Sequence, residues 1–89
     1  MQLFNSSSRQ AAGNQYIMET IEILFGKRLR ELRSMRNWSQ EELAFRCNVS
    51  KNYISDVERG KRNVSLKAIE KIARGLEVEI YELFYRSSQ

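Results

Sequence analysis

Side chains that move protons, hold metals or form covalent bonds are scarce in this sequence. It has no histidine, and its one cysteine, Cys47, can make neither a zinc site nor an internal disulfide. It contains no Gly-x-x-x-x-Gly-Lys phosphate loop and no Ser/His pair. Asp56 is the only aspartate, and the glutamates have the spacing of helix surfaces. The expectation is therefore a protein that is not an enzyme and needs no cofactor, metal or small-molecule ligand. What the residues do offer is charge. Of the formal +4, none comes from the ends: residues 1–25 carry Arg9 against Glu19 and Glu22, and residues 63–89 carry four charges of each sign. Residues 26–62 carry ten Lys/Arg against five Asp/Glu. A basic centre is the footprint of a polyanion partner, although solubility alone can also account for it.

The elements that must position this charge are helical. The 89 residues make one small domain, with no proline and four glycines, rich in Leu, Ile, Glu, Lys and Arg. Residues 1–19 are polar and weakly periodic, and are expected to form a flexible or loosely docked extension. From Thr20, Ile21, Leu24, Phe25, Leu29 and Leu32 recur at helical spacing up to Arg36–Asn37. Gly26 inside that helix costs about 1 kcal/mol relative to alanine, which suggests a close helix contact there. Ser39 opens a capping box with Glu42, starting a second helix that runs to about Cys47 with Leu43, Ala44 and Cys47 inward. Ser50 caps a third helix from Lys51 to Arg59, with Ile54 and Val57 inward, and Gly60 stops it. Ser65 caps a fourth, with Leu66, Ile69, Ile72, Ala73 and Leu76 inward. Val78, Ile80, Leu83 and Phe84 form a last short helix or turn, and the domain of residues 20–86 closes with a tail at 87–89. The predicted class is all-α, a compact four- to five-helix bundle containing a helix-turn-helix.

Two helices joined by a short turn are a weak signal, but the residues filling them are specific. Trp-Ser-Gln-Glu-Glu-Leu-Ala at 38–44, then Val-Ser-Lys-Asn-Tyr-Ile-Ser-Asp-Val-Glu-Arg-Gly at 49–60, closely resemble the phage-repressor/Cro-like (Xre) helix-turn-helix family, whose fold is that of the lambda-repressor DNA-binding domain. The likeness spans residues 24–84. The stretch Tyr53 to Leu66 resembles restriction–modification controller proteins in particular; the N-terminal extension is longer than typical controllers carry.

The resemblance implies a sequence-specific transcriptional regulator that binds double-stranded DNA as a homodimer on inverted half-sites. It places the third helix in the major groove, with Lys51, Asn52, Tyr53, Ser55 and Asp56 as candidate base contacts. Asp56 could accept from cytosine N4 or merely orient Lys51 or Asn52. Ser39 and Gln40 at the start of the second helix, and Lys61, Arg62 and Asn63 after the third, become phosphate contacts, with Arg36 and Arg46 as weaker candidates. Arg33 and Glu58 become an ion pair tying the first helix to the third. Apart from the resemblance, the apolar excess at the C-terminus makes Ile80, Tyr81, Leu83 and Phe84 the candidate dimer interface. Cys47 reads as a small buried hydrophobe. The competing reading is an antitoxin or adaptor that reuses the fold to bind protein; Lys51 and Asn52 on the third helix favour DNA. With no export signal or apolar run of membrane-spanning length, the expected compartment is the cytoplasm, and no membrane partner is expected.

Overall fold

The computed structural model describes residues 19–85, so the expected extension up to residue 18 and the tail from residue 86 lie outside the described residues. Four α-helices follow in order: α1 (Ile21–Met35), α2 (Gln40–Cys47), α3 (Lys51–Glu58) and α4 (Leu66–Leu76), then a short 3-10 helix at Ile80–Leu83. Each α-helix starts at a hydroxyl. Thr20, Ser39, Ser50 and Ser65 accept hydrogen bonds from the backbone N–H groups of Ile23, Glu42, Tyr53 and Ala68 respectively. That satisfies one orphan donor per helix and removes ambiguity about where each begins.

The predicted capping box at Ser39 is only half made. Glu42 donates its N–H to Ser39 Oγ at 3.0 Å, but its carboxylate goes to Arg46 at 2.7 Å instead of returning to the cap. A cation one turn along the same face outcompetes the backbone N–H. The reciprocal arrangement occurs instead at Glu79 and Glu82, at the start of the 3-10 helix.

All four helices end in the same way. Asn37, Asn48, Gly60 and Glu77 take left-handed backbone angles, with φ of 58°, 59°, 75° and 58°. After α3, Gly60 N–H donates to Val57 O at 3.0 Å and Lys61 N–H to Asp56 O at 2.9 Å; this is the Schellman pairing. Glycine and asparagine tolerate that conformation, whereas glutamate pays about 1 kcal/mol or more for it. Glu77→Gly is therefore expected to stabilise the fold by roughly 0.5–1 kcal/mol, read as a higher urea midpoint at unchanged slope.

The core forms where the four helices meet. Leu29, Leu43, Ile54, Val57, Ile72, Leu76 and Leu83 are essentially fully buried, with Phe25, Leu32, Ala44, Cys47 and Ala73 completing it and Trp38 packed against its edge. Helix α2 packs on both α3 and α4, α1 packs on α3, and the 3-10 helix rests on α1 and α4. Leu66, assigned inward by periodicity, is not, and Ile21 of the first apolar period also lies outside the core. Leu66 is 86% exposed and Ile21 is 60% exposed. Both occupy the first position of their helices. Along α4 burial deepens from exposed Leu66 through half-buried Ile69 to fully buried Ile72, so the helix enters the core from a protruding end.

Gly26 does make the close contact. A Cβ there would lie 2.3 Å from Val57 O and 2.8 Å from Glu58 O, both backbone atoms of α3. The missing side chain lets α1 lie directly on the C-terminal turn of α3. This sets the position of the helix expected to read DNA.

Candidate nucleic-acid interface

Helix α3 is short and takes its orientation from its neighbours. Ile54 and Val57 are buried at 0% and 1%, which turns the opposite face outward. Lys51 and Asn52 are exposed there, and Ser55 and Asp56 follow one turn later, partly exposed. Tyr53 is half-buried at the edge of the stripe, packed against the core. At 100° per residue these positions share one side of the helix.

The far end of α3 is fixed by a charged clamp. Arg33 on α1 donates from Nε to Glu58 Oε2 at 2.6 Å and from Nη2 to Glu58 Oε1 at 2.9 Å. Its remaining Nη1 reaches Trp38 O at 2.9 Å. The Glu58 side chain is 4% exposed and that of Arg33 15%. The hydrogen bond to Glu58 raises the Arg33 pKa more than burial lowers it, so the guanidinium stays charged. Gln40 Nε2 donates to Glu58 Oε1 at 3.0 Å. The Gln40 side chain thus braces α3 from the first residue of α2. Beside it, Ser39 uses its hydroxyl as the α2 cap.

Two basic side chains have other employment. Arg36 donates to Leu32 O and Leu76 O at 3.2 and 2.9 Å, holding the C-terminal end of α4 against α1. Arg46 lies 4.0 Å from the Trp38 ring centroid and pairs with Glu42. Arg36 is thus committed to backbone carbonyl groups, while the Arg46 side chain is 42% exposed. By contrast, Lys61, Arg62 and Asn63 are exposed in the loop that leaves α3.

The Asp56 carboxylate pairs with arginines and not with Lys51 or Asn52, and its side chain is 32% exposed. Oδ1 accepts from Arg59 Nη2 at 2.6 Å, and Oδ2 lies 3.5 Å from Arg62 Nε. Arg59 Nη1 also donates to Ser55 Oγ at 3.0 Å, and the Arg62 guanidinium sits 5.0 Å from the Tyr53 ring centroid. Arg59 is the functional candidate that sequence reasoning missed. Its spacing of three and four residues from Asp56 and Ser55 is the signal that could have found it.

At the other end of the domain, Leu83 does not belong to an interface set. It is fully buried, because Arg28 Nε donates to Glu82 O at 2.7 Å and draws the 3-10 helix onto α1. Ile80, Tyr81 and Phe84 remain exposed at 51%, 70% and 48%. The Phe84 ring meets Phe25 at a 45° tilt with centroids 5.3 Å apart, and lines a groove with Ile21, Leu24 and Tyr85. Cys47 is buried under α4, and desolvation pushes its thiol pKa up to about 11, which disfavours the reactive thiolate. No group of side chains suited to a metal occurs among the described residues, and no described helix is long and apolar enough to cross a membrane.

Comparison with known proteins gives concordant matches. The helix-turn-helix family profile HTH_3 matches residues 29–83. Control protein C.BamHI of Bacillus amyloliquefaciens is 53% identical over 64 residues, covering 71% of this chain and 79% of that protein. Control protein C.MunI of a Mycoplasma species is 44% identical over 68 residues, covering 75% and 92%. The crystal structure of the restriction–modification controller protein C.AhdI from Aeromonas hydrophila aligns with a TM-score of 0.69 at 51% identity, over 71% of this chain and 96% of that one.

Proposed function

The chain belongs to the helix-turn-helix family, and from that premise we propose that it is a restriction–modification controller acting as a homodimer with α3 in the major groove. It is a DNA-binding transcriptional regulator in kind. The finer reading rests on one observation. The outward stripe of α3, Lys51, Asn52, Ser55 and Asp56, runs directly into the exposed basic loop Lys61–Arg62–Asn63. Lys51 can donate to guanine O6/N7 and Asn52 can pair bidentately with adenine. Tyr53 can press a thymine methyl. Ser39 and Gln40 offer the positive end of α2 to a phosphate, and the loop offers a second clamp.

Base and phosphate contacts differ in what they respond to. A base contact loses about 1–3 kcal/mol only when its own base pair changes. A phosphate contact loses energy on every sequence alike. Lys51→Ala and Asn52→Ala are therefore expected to flatten the preference at one or two base pairs per half-site. Lys61→Ala is expected to weaken a selected site and random DNA by similar factors. Binding-site selection on genomic DNA, followed by affinities for all three folded variants, checks both. Loop variants that change base preference while helix variants do not would put the wrong element in the groove. Retention of a protein partner by a chain that ignores DNA would favour the adaptor or antitoxin reading.

The dimer is assigned to the C-terminal face. Ile80, Tyr81 and Phe84 are large, apolar and exposed on a small domain, and Phe84 lines a groove with Tyr85 and Ile21. Two-fold pairing through this face would present two α3 helices to half-sites about one helical turn, roughly 34 Å, apart. Sedimentation at tens of micromolar is expected to give twice the 10.5 kDa chain mass, and Tyr81→Glu is expected to return it to one. A parent chain that stays monomeric with and without DNA would overturn the assignment.

A further inference from the structure

We infer that Asp56 is a discriminating residue that acts through arginines and not on a base, and that it holds down affinity for random DNA. The inference rests on the reading that α3 and its loop are the DNA surface. In the free protein one carboxylate restrains two cations of that surface. Arg59 is held at 2.6 Å and Arg62 at 3.5 Å, while Tyr53 supports Arg62 and Ser55 supports Arg59. All three charged side chains are partly solvent-exposed, at 32% for Asp56, 56% for Arg59 and 49% for Arg62. The pairs are therefore weak in themselves and open to exchange with phosphate.

The exchange is what separates one DNA from another. A complex in which the phosphates meet Arg59 and Arg62 where Asp56 already holds them keeps the ion pairs and pays no ordering cost. A complex in any other register must pull the arginines away and leave Asp56 facing the DNA backbone, like charge against like. Specificity can come from such an unfavourable term against the wrong partner as well as from contacts to the right one. Non-specific binding depends almost wholly on phosphate contacts, so the penalty falls mainly there.

Asp56→Asn keeps the side-chain shape and removes the charge. At 50 mM salt a random-sequence duplex of about 30 base pairs is expected to bind the variant about tenfold more tightly than the parent, with a steeper salt slope. A duplex recovered by binding-site selection is expected to change less than about threefold, so the ratio between the two falls. In an Arg59→Gln/Arg62→Gln background the same substitution is expected to have almost no effect, because the groups it acts through are gone. A melting curve confirms that each variant is folded. Random-duplex affinity that does not rise, or that rises equally in the arginine-less background, overturns the role of Asp56. So does equal tightening on both duplexes, or loss of preference at one base pair alone, which would make Asp56 a base contact. A parent chain that does not retain the random duplex at low salt instead overturns the DNA surface itself, and this role with it.

Discussion

Glu58→Ala is expected to cost about 3–5 kcal/mol of folding stability, the range for breaking a buried ion pair by removing one partner. Glu58 is almost completely buried and accepts three hydrogen bonds, two from Arg33 and one from Gln40. Without it, a guanidinium that is 15% exposed keeps its charge but loses its counterion, and the Gln40 amide loses its acceptor. Arg33→Ala strands the carboxylate instead and is expected to cost about 3 kcal/mol, since Gln40 still donates to it. For a domain of this size about 3 kcal/mol is a large part of the total stability. Denaturant titration followed by circular dichroism measures both variants, and DNA affinity is expected to fall in step with the folded fraction. The Arg33 pKa is raised in the folded state, so its share of the stability is fully present below the ordinary arginine value and is lost only above it. The Arg33 contribution is therefore flat across neutral pH. A variant that melts like the parent yet loses DNA binding would make its residue a contact and not a brace.

The clamp also marks how far residue types alone can carry a reading. The starts of the second, third and fourth helices were legible because each is a serine ahead of an apolar period, and all three caps are made; Thr20 caps the first in the same way. Gly26 was legible because a glycine in mid-helix needs a reason, and the backbone of α3 supplies it. The helix ends before Asn37 and Asn48 were legible too, since asparagine tolerates a left-handed turn, whereas the left-handed Glu77 had no such signal. Leu66, Ile21 and Leu83 show a different limit. Periodicity gives the direction of a side chain around its helix, but not whether a neighbour is there to meet it. Leu66 has the right azimuth beyond the edge of the core, whereas Leu83, counted as surplus apolar surface, lies inside it. The charged residues were hardest to place. Arg36, Arg46, Arg59 and Arg62 are indistinguishable in composition, yet the first two hold the scaffold and the last two flank α3. What separates them is the three-dimensional position of carbonyl, ring and carboxylate partners, which sequence spacing reveals only for the pair on one helix.

That sorting sets the expected salt response. Beside Lys51, which is turned to a base, Arg59, Lys61 and Arg62 are the cations on the α3 side left for phosphate, and Asp56 offsets one of them. With about two effective phosphate contacts per protomer, a dimer releases about four counterions, for a log–log slope of roughly −3.6. Between 50 and 200 mM salt the affinity is then expected to fall about 150-fold. Lys61→Ala removes one contact from each protomer and is expected to make the slope shallower by about 2, on selected and random duplexes alike. Arg36→Ala is expected to leave the slope unchanged and to lower stability instead, because its guanidinium is spent on the carbonyl groups of Leu32 and Leu76. Fluorescence titrations across a salt series, on duplexes with and without a selected site, measure all three slopes. A parent slope near zero would show that the exposed basic face does not meet phosphate. A slope made shallower by Arg36→Ala in a fully folded chain would add Arg36, which lies over the Trp38 ring, to the contact surface.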